Sequence, residues 1–497
     1  MSNLLKRQGF FNSLILYAGT ALGFFNLVIL FQRCLTIEQI GFFSLMIAIS
    51  LIYAQFASVG IGNIILKYFP YYTTPDRKHN GFGTFVLLYS GISFAIFTIL
   101  FIAFKNPIIA HYSKEKGATL LVKYYYYLIP ISLLTMVYTI FESMARAIFK
   151  NVLSAFLKEV LLRVFTSVSI LLIGAAWINY QDFLIIYLIA NVVIVIVLWY
   201  SIYQDKHFPL SQVSTHMRDN TVLLMKYGVF TVLSGTSFAL IQNLDIIMLS
   251  YLRGESLGLV GIYSTFFNIA VVISLPAKAM NRTSLQIVSQ AWATNDLPKI
   301  DKIYYKTSVV QMLIGCLLFV GLIVNRDFIM VLLKKHEYVG YFDVFIIVGI
   351  GFLVDITGGL NGYIMNVSKY YRLTTYFITG TVVLCVAANW FLIPRFGMVG
   401  AAISYTFTMF VLNFIYWAFV KVKFGLQPFG KAHLLVILVS AIALLVGLYL
   451  PLVHNIWFDM MLRSAIVAMV YVGLSYLLKI SADINELFDS VLKYKKR

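Results

Sequence analysis

Charged side chains at one-turn spacing stand in or beside long apolar runs. Arg146 follows Glu142 by four residues, Arg163 follows Glu159 by four, and Arg282 follows Lys278 by four. Residues four apart share one face of a helix. Ionisable groups are costly within a bilayer, so they usually face a cavity and mark function. Arg146, Arg163, Lys278 and Arg282 come from three runs and suit a cationic vestibule, because Arg holds phosphate oxygens through its planar fork. A plainer account is that Glu142–Arg146 and Glu159–Arg163 satisfy each other at a membrane edge while the lysines snorkel.

Two carboxylates lie deeper in the apolar sequence. Asp245 falls in the outer third of the seventh run and Asp355 near the middle of the tenth, neither with a basic residue one turn away. Such a group can take up and release H+ or Na+ as a cavity opens alternately to each side. Asp245 and Asp355 are therefore the candidate ion-coupling residues. The structural alternative for Asp245 is a hydrogen bond to a backbone group or to Asn243.

The elements that must position these groups are membrane helices. The chain has 497 residues, 61% hydrophobic and only 12% charged. Soluble domains are nearer one quarter charged. Fourteen runs approach the ~20 apolar residues that cross a bilayer as a helix. They begin with 10–31, 40–66 and 84–104 and end with 433–453 and 459–479; between them lie 157–178, 226–252, 342–366, 374–393 and 398–420. Run length and the lack of period-two alternation exclude a β-barrel. The first run is too long for a signal-peptide core and reads as a retained span. The fold class is all-α and polytopic. An even span count puts both termini on one side, which carries most of the 38 Lys and Arg and is therefore cytoplasmic. The net charge of +18 then reflects topology and lipid headgroups rather than nucleic acid.

One unit is written twice. Asn26-Leu-Val-Ile-Leu-Phe leads to Gly41-Phe-Phe-Ser44, and Asp245-Ile-Ile-Met-Leu-Ser leads to Gly261-Ile-Tyr-Ser264, roughly 220 residues later. Transporters commonly place their substrate site between such repeats. The organisation expected is a six-helix bundle over 1–203, a cytoplasmic linker over 204–225, a second six-helix bundle over 226–420, and two further helices with a tail over 421–497. Equal, even halves run in the same direction, so the bundles are related by a pseudo-twofold axis along the membrane normal.

The segment Asn389-Trp-Phe-Leu-Ile-Pro-Arg-Phe-Gly-Met-Val-Gly-Ala-Ala402 resembles the turn between spans eleven and twelve of bacterial polysaccharide flippases. These belong to the multidrug/oligosaccharidyl-lipid/polysaccharide (MOP) exporter superfamily. Asn243 to Ser250 with Gly261-Ile-Tyr-Ser264 is similar to the family's span-seven signature, and Gly41-Phe-Phe-Ser44 to its first hairpin. The resemblance implies an O-antigen-type flippase that moves undecaprenyl-diphosphate-linked oligosaccharide across the bacterial inner membrane. The diphosphate would then be the anion facing Arg146, Arg163, Lys278 and Arg282. Membrane lipids and other glycan-assembly proteins would be its partners.

The sequence offers no metal ligand set, and H+ or Na+ is the only small cofactor expected. Cys34, Cys316 and Cys385 lie far apart, the seven histidines are scattered, and no P-loop occurs. An enzyme is not expected. Two rivals differ in recognisable ways. A multidrug antiporter of the same superfamily usually has twelve spans and a cavity poor in basic groups. A membrane enzyme such as an O-antigen polymerase needs a large outer loop with catalytic groups, and none is present.

Overall fold

The computed structural model describes residues 2–113, 119–204, 210–252, 257–482 and 485–486, which form helices joined by short turns and no strand. Eleven of these helices are long and apolar enough to cross a membrane. The chain is a multi-pass all-α membrane protein.

Apolar runs of this length fold as helices because a bilayer core offers backbone groups no partner outside the segment. Helix α1, Ser2–Phe25, continues through a π-helical turn at Asn26–Leu30 into Phe31–Cys34. Helix α2, Ile37–Ala57, starts at a capping box in which Thr36 and Gln39 satisfy each other's backbone N–H groups. Then come α3 (Ile61–Tyr72), α4 (Phe82–Ala103) and α5 (Leu128–Ala147). Helix α6 runs from Asn151–Phe156 through a second π-helical turn, Leu157–Leu161, to Leu162–Gly174. Helices α7 (Tyr180–Gln204), α8 (Thr215–Leu252), α9 (Leu257–Val271) and α10 (Leu275–Ala293) follow. The remainder are α11 (Leu297–Val324), α12 (Phe342–Thr357), α13 (Asn361–Val367), α14 (Tyr371–Phe424), α15 (Lys431–Tyr449) and α16 (Ile456–Leu477).

The structure redraws several expected runs. The 54 residues of α14 cover both 374–393 and 398–420; at ~1.5 Å per residue that is more than two bilayer cores. The helix breaks at Gly397, whose φ of 58° and ψ of −132° suit glycine alone. The runs expected over 157–178 and 226–252 fall on α6 and α8, which are helical but not among the eleven apolar helices, apart from a shorter apolar stretch at Ala239–Leu252. The tenth run is not one helix: α12 ends at Thr357, and Gly359, at φ 61°, turns the chain into α13. Asp355 therefore sits in the last turn of α12, not mid-span. The second run is likewise interrupted, at Val59 and Gly60, both with positive φ.

The chain divides into two compact units. The first comprises Met1–Thr265 with Asn389–Met398, and the second Phe266–Ala388 with Val399–Arg497. The division falls at Thr265, not in the 204–225 connection. The reason is that α8 packs on α2, with Gly228 against Gly60 so tightly that a Cβ on either would overlap backbone. The expected linker is also shorter than 204–225. Helix α8 already begins at Thr215, and residues 211–214 are pinned to the start of α4. Thr84 donates to the Ser211 carbonyl at 2.7 Å, and Ser214 N–H donates to the Asn80 carbonyl at 3.1 Å. Residues 205–209 of the linker lie outside the described residues.

The first unit's core centres on α2 to α5, with Tyr53, Ile64, Phe82 and Met144 among its buried members. In the second unit, α11, α15 and α16 share a core of Val320, Val436, Val467 and Tyr471. The two helices beyond the twelve-span scheme are thus packed into this unit rather than appended to it. Their hairpin is closed by a buried ion pair, Arg463 Nε to Asp459 Oδ2 at 2.7 Å. The other Arg463 nitrogens donate to the carbonyls of Gly447 and Leu450 at 2.8 and 2.9 Å. Removing one partner of such a pair leaves a buried charge uncompensated, at a cost of ~3–5 kcal/mol. Arg463→Ala is therefore expected to lower the apparent melting temperature of the purified protein sharply. An unchanged melting curve would show that the pair does not hold the hairpin.

Candidate functional site

The duplicated tetrads meet. Gly41 lies one turn into α2 and Gly261 one turn into α9. A Cβ on Gly41 would overlap the carbonyl of Leu257, and one on Gly261 would overlap the carbonyl of Ile37. Each glycine thus faces the carbonyl four residues before the other, as a local twofold requires. Small residues permit this approach, and nothing larger fits.

The leading residues of the two repeats carry different chemistry. Asn26, at the start of the π-helical turn, donates to the Arg163 carbonyl at 2.9 Å and accepts from Ser167 Oγ at 2.6 Å, both on α6. Asp245, on α8, accepts from Tyr263 Oη at 2.9 Å and from Asn389 Nδ2 at 2.6 Å. Asp245, Tyr263 and Asn389 are all fully buried. Asn243, which with a backbone group was one of the two structural partners considered for Asp245, donates instead to the Ala239 carbonyl. Three segments singled out separately therefore converge on one carboxylate: the Asp245 signature, the tetrad through Tyr263, and the Pro-Gly segment through its first residue, Asn389. The first repeat has a neutral amide where the second has a carboxylate.

Arg146 and Arg163 are engaged as their spacing suggests. Arg146 pairs with Glu142 at 2.6 Å and Arg163 with Glu159 at 2.7 Å. Arg163 also donates to the Gly19 carbonyl and crowds Gly23, so it clamps α6 to α1. Both arginines belong to the first unit.

The other candidates belong to the second unit. Asp355 is partly buried and accepts from Asn413 Nδ2 at 3.3 Å; Asn413 Oδ1 in turn accepts from Asn361 Nδ2 at 2.9 Å. Sequence spacing left Asp355 without a cation nearby, but the exposed Lys278 of α10 lies within Coulomb range of it. A candidate anion ligand and a candidate coupling group thus share one region. Nearby, the buried Ser308 bridges the Thr357 carbonyl at 2.6 Å and His433 Nε2 at 2.9 Å. The Arg282 side chain lies outside the described residues. Among the described residues no three His, Cys, Asp or Glu stand together as metal ligands.

Of the four tyrosines at 124–127, Tyr124 and Tyr125 are buried in the core. Tyr125 stacks on Phe101 at 4.7 Å between ring centroids and donates to its carbonyl. Only Tyr126 is well exposed, next to Lys105 Nζ at 2.6 Å.

This helical arrangement is the fold of MOP-type transporters. A lipid II flippase, MurJ, in an inward closed conformation, matches with a TM-score of 0.76 over 94% of this chain and 98% of its own, at 14% identity. An inward-facing multidrug resistance transporter of the MATE family matches with a TM-score of 0.64 over 81% of this chain and 94% of its own, at 14% identity. A MOP superfamily transporter from Pyrococcus furiosus gives 0.55 over 84% and 96%, at 14% identity. No curated protein sequence matches significantly. The profile of the polysaccharide biosynthesis protein family matches residues 5–286, more than half of the chain, and the chain belongs to that family.

Proposed function

We propose that this protein is a flippase for undecaprenyl-diphosphate-linked oligosaccharide. It would work by alternating access in the bacterial cytoplasmic membrane, with both termini in the cytoplasm, and serve surface polysaccharide or O-antigen biosynthesis. The carrying observation is family membership across residues 5–286. The basic residues in or beside the apolar runs, Arg146, Arg163, Lys278 and Arg282, favour an anionic lipid-linked cargo over a cationic drug. Lys278 and Arg282 attract the diphosphate, with Arg146 and Arg163 contributing through their pairs. Asp245 or Asp355 carries H+ or Na+ between the two faces.

The likeness to MATE transporters supports a second reading, a multidrug antiporter. The two differ in what a cell lacking the protein accumulates. Under the flippase reading, depletion in a bacterium encoding it leaves lipid-linked oligosaccharide unexported and the surface glycan lost. Intact surface glycan with new drug sensitivity would favour the antiporter.

A further inference from the structure

The first unit holds a cavity of about 130 Å³ between α2, α5, α6 and α7, lined by Ser50, Thr135, Tyr138, Lys158, Tyr187 and Asn191 among aliphatic side chains. Taking ~30 Å³ per water, it has room for one phosphate-sized group. Lys158 is its cation. The residue stands in the π-helical turn of α6, a distortion often found at functional sites. Its ammonium sits 4.8 Å from the centre of the Tyr138 ring.

Three observations point to an anion. First, Glu142 and Glu159, the acidic groups whose charge reaches Tyr138, are each paired with an arginine. Among the described residues Lys158 itself has no ion pair or hydrogen bond, so the cluster carries one cation in excess. Second, Ser50 lines the cavity, is 1% exposed, and its hydroxyl has no hydrogen-bond partner. A buried hydroxyl left unsatisfied is costly, and a ligand oxygen would relieve it. Third, the hydroxyls of Thr135 and Tyr138 already donate elsewhere, to the Ile131 and Ser154 carbonyls, both at 2.8 Å. Asn191 Nδ2 likewise donates to the Tyr187 carbonyl at 2.8 Å, whereas the Lys158 ammonium and the Ser50 hydroxyl make no hydrogen bond among the described residues.

We propose that this cavity is a phosphate-binding site in which Lys158 supplies the charge and Ser50 a hydrogen bond. The phosphate belongs to the polyprenyl diphosphate of the cargo. This assignment rests on the flippase reading and moves the first unit's phosphate contact from Arg146 and Arg163, which are occupied, to Lys158.

The test is binding of undecaprenyl diphosphate, and separately of inorganic pyrophosphate, to the full-length protein in nanodiscs. Wild type is compared with Lys158→Gln, Lys158→Arg and Ser50→Ala. Loss of a charge-assisted hydrogen bond predicts weakening by roughly tenfold or more in Lys158→Gln. A smaller loss is expected in Ser50→Ala, and Lys158→Arg should keep most of the affinity. Wild-type binding of the lipid that is unchanged in both Lys158→Gln and Ser50→Ala overturns the site and leaves the flippase reading standing. If wild type ignores the lipid but binds pyrophosphate through Lys158, the site takes free phosphate and the flippase reading fails. If it binds neither, both fail.

Discussion

Asp245→Asn is expected to give a folded protein that has lost gradient-dependent transport. The carboxylate is buried and accepts from Tyr263 and Asn389. An amide of the same shape still offers one acceptor and the tyrosine hydroxyl can turn to meet the other group, so packing survives while the charge does not. If the charge couples ion to cargo by the usual ~1–3 kcal/mol, its loss removes about a 5-fold to 150-fold dependence on the gradient. Tyr263→Phe keeps the charge and should fall in between. Asp245→Ala differs in kind: it leaves two buried donors without their acceptor, at ~1–3 kcal/mol each, and should lower stability as well. The measurement is cargo uptake in proteoliposomes with and without an imposed H+ or Na+ gradient. Full gradient dependence in Asp245→Asn would dismiss Asp245 and leave Asp355, beside Asn413 and Lys278, as the candidate.

The second large effect is structural. Gly41→Leu and Gly261→Leu should each abolish accumulation of folded protein, and to similar extents, since each glycine faces the other helix's carbonyl in the same way. Overpacking typically costs ~1–3 kcal/mol. Here the obstacle is backbone rather than a side chain that can swing away, so the cost should exceed that range. Gly91→Leu is the control, because a Cβ at Gly91 meets nothing within 4 Å. Size-exclusion profiles of a fluorescent fusion would read all three. A monodisperse Gly41→Leu protein at wild-type level would refute the close crossing.

The crossing also shows what a sequence can and cannot disclose. The tetrads were visible because they repeat. That they approach each other depends on which helices are neighbours, which no local pattern encodes. The same holds at Asp245: its burial followed from the apolar run around it, but Asn389 lies 144 residues away. The nearer Asn243, one of the partners that the sequence offered beside a backbone group, bonds its own helix instead. One-turn spacing correctly paired Arg146 and Arg163 with their glutamates, because i,i+4 contacts are local. The same reasoning passed over Lys158, whose neighbours Ser50 and Asn191 come from two other helices. The breaks at Val59–Gly60 and Gly359 were hidden because apolar residues continue through them. Only backbone dihedrals reveal that one apolar run holds two helices.

The cargo of the proposed flippase is a polyprenyl-diphosphate-linked oligosaccharide. Purified protein reconstituted in liposomes, with such a lipid carrying a fluorescent glycan in the lumenal leaflet, tests it directly. A glycan-cleaving enzyme outside the vesicles is expected to gain access to the lipid at a rate that rises with an imposed gradient and vanishes without protein. Access no faster than in protein-free vesicles, alongside gradient-driven movement of a cationic dye by the same preparation, would contradict it.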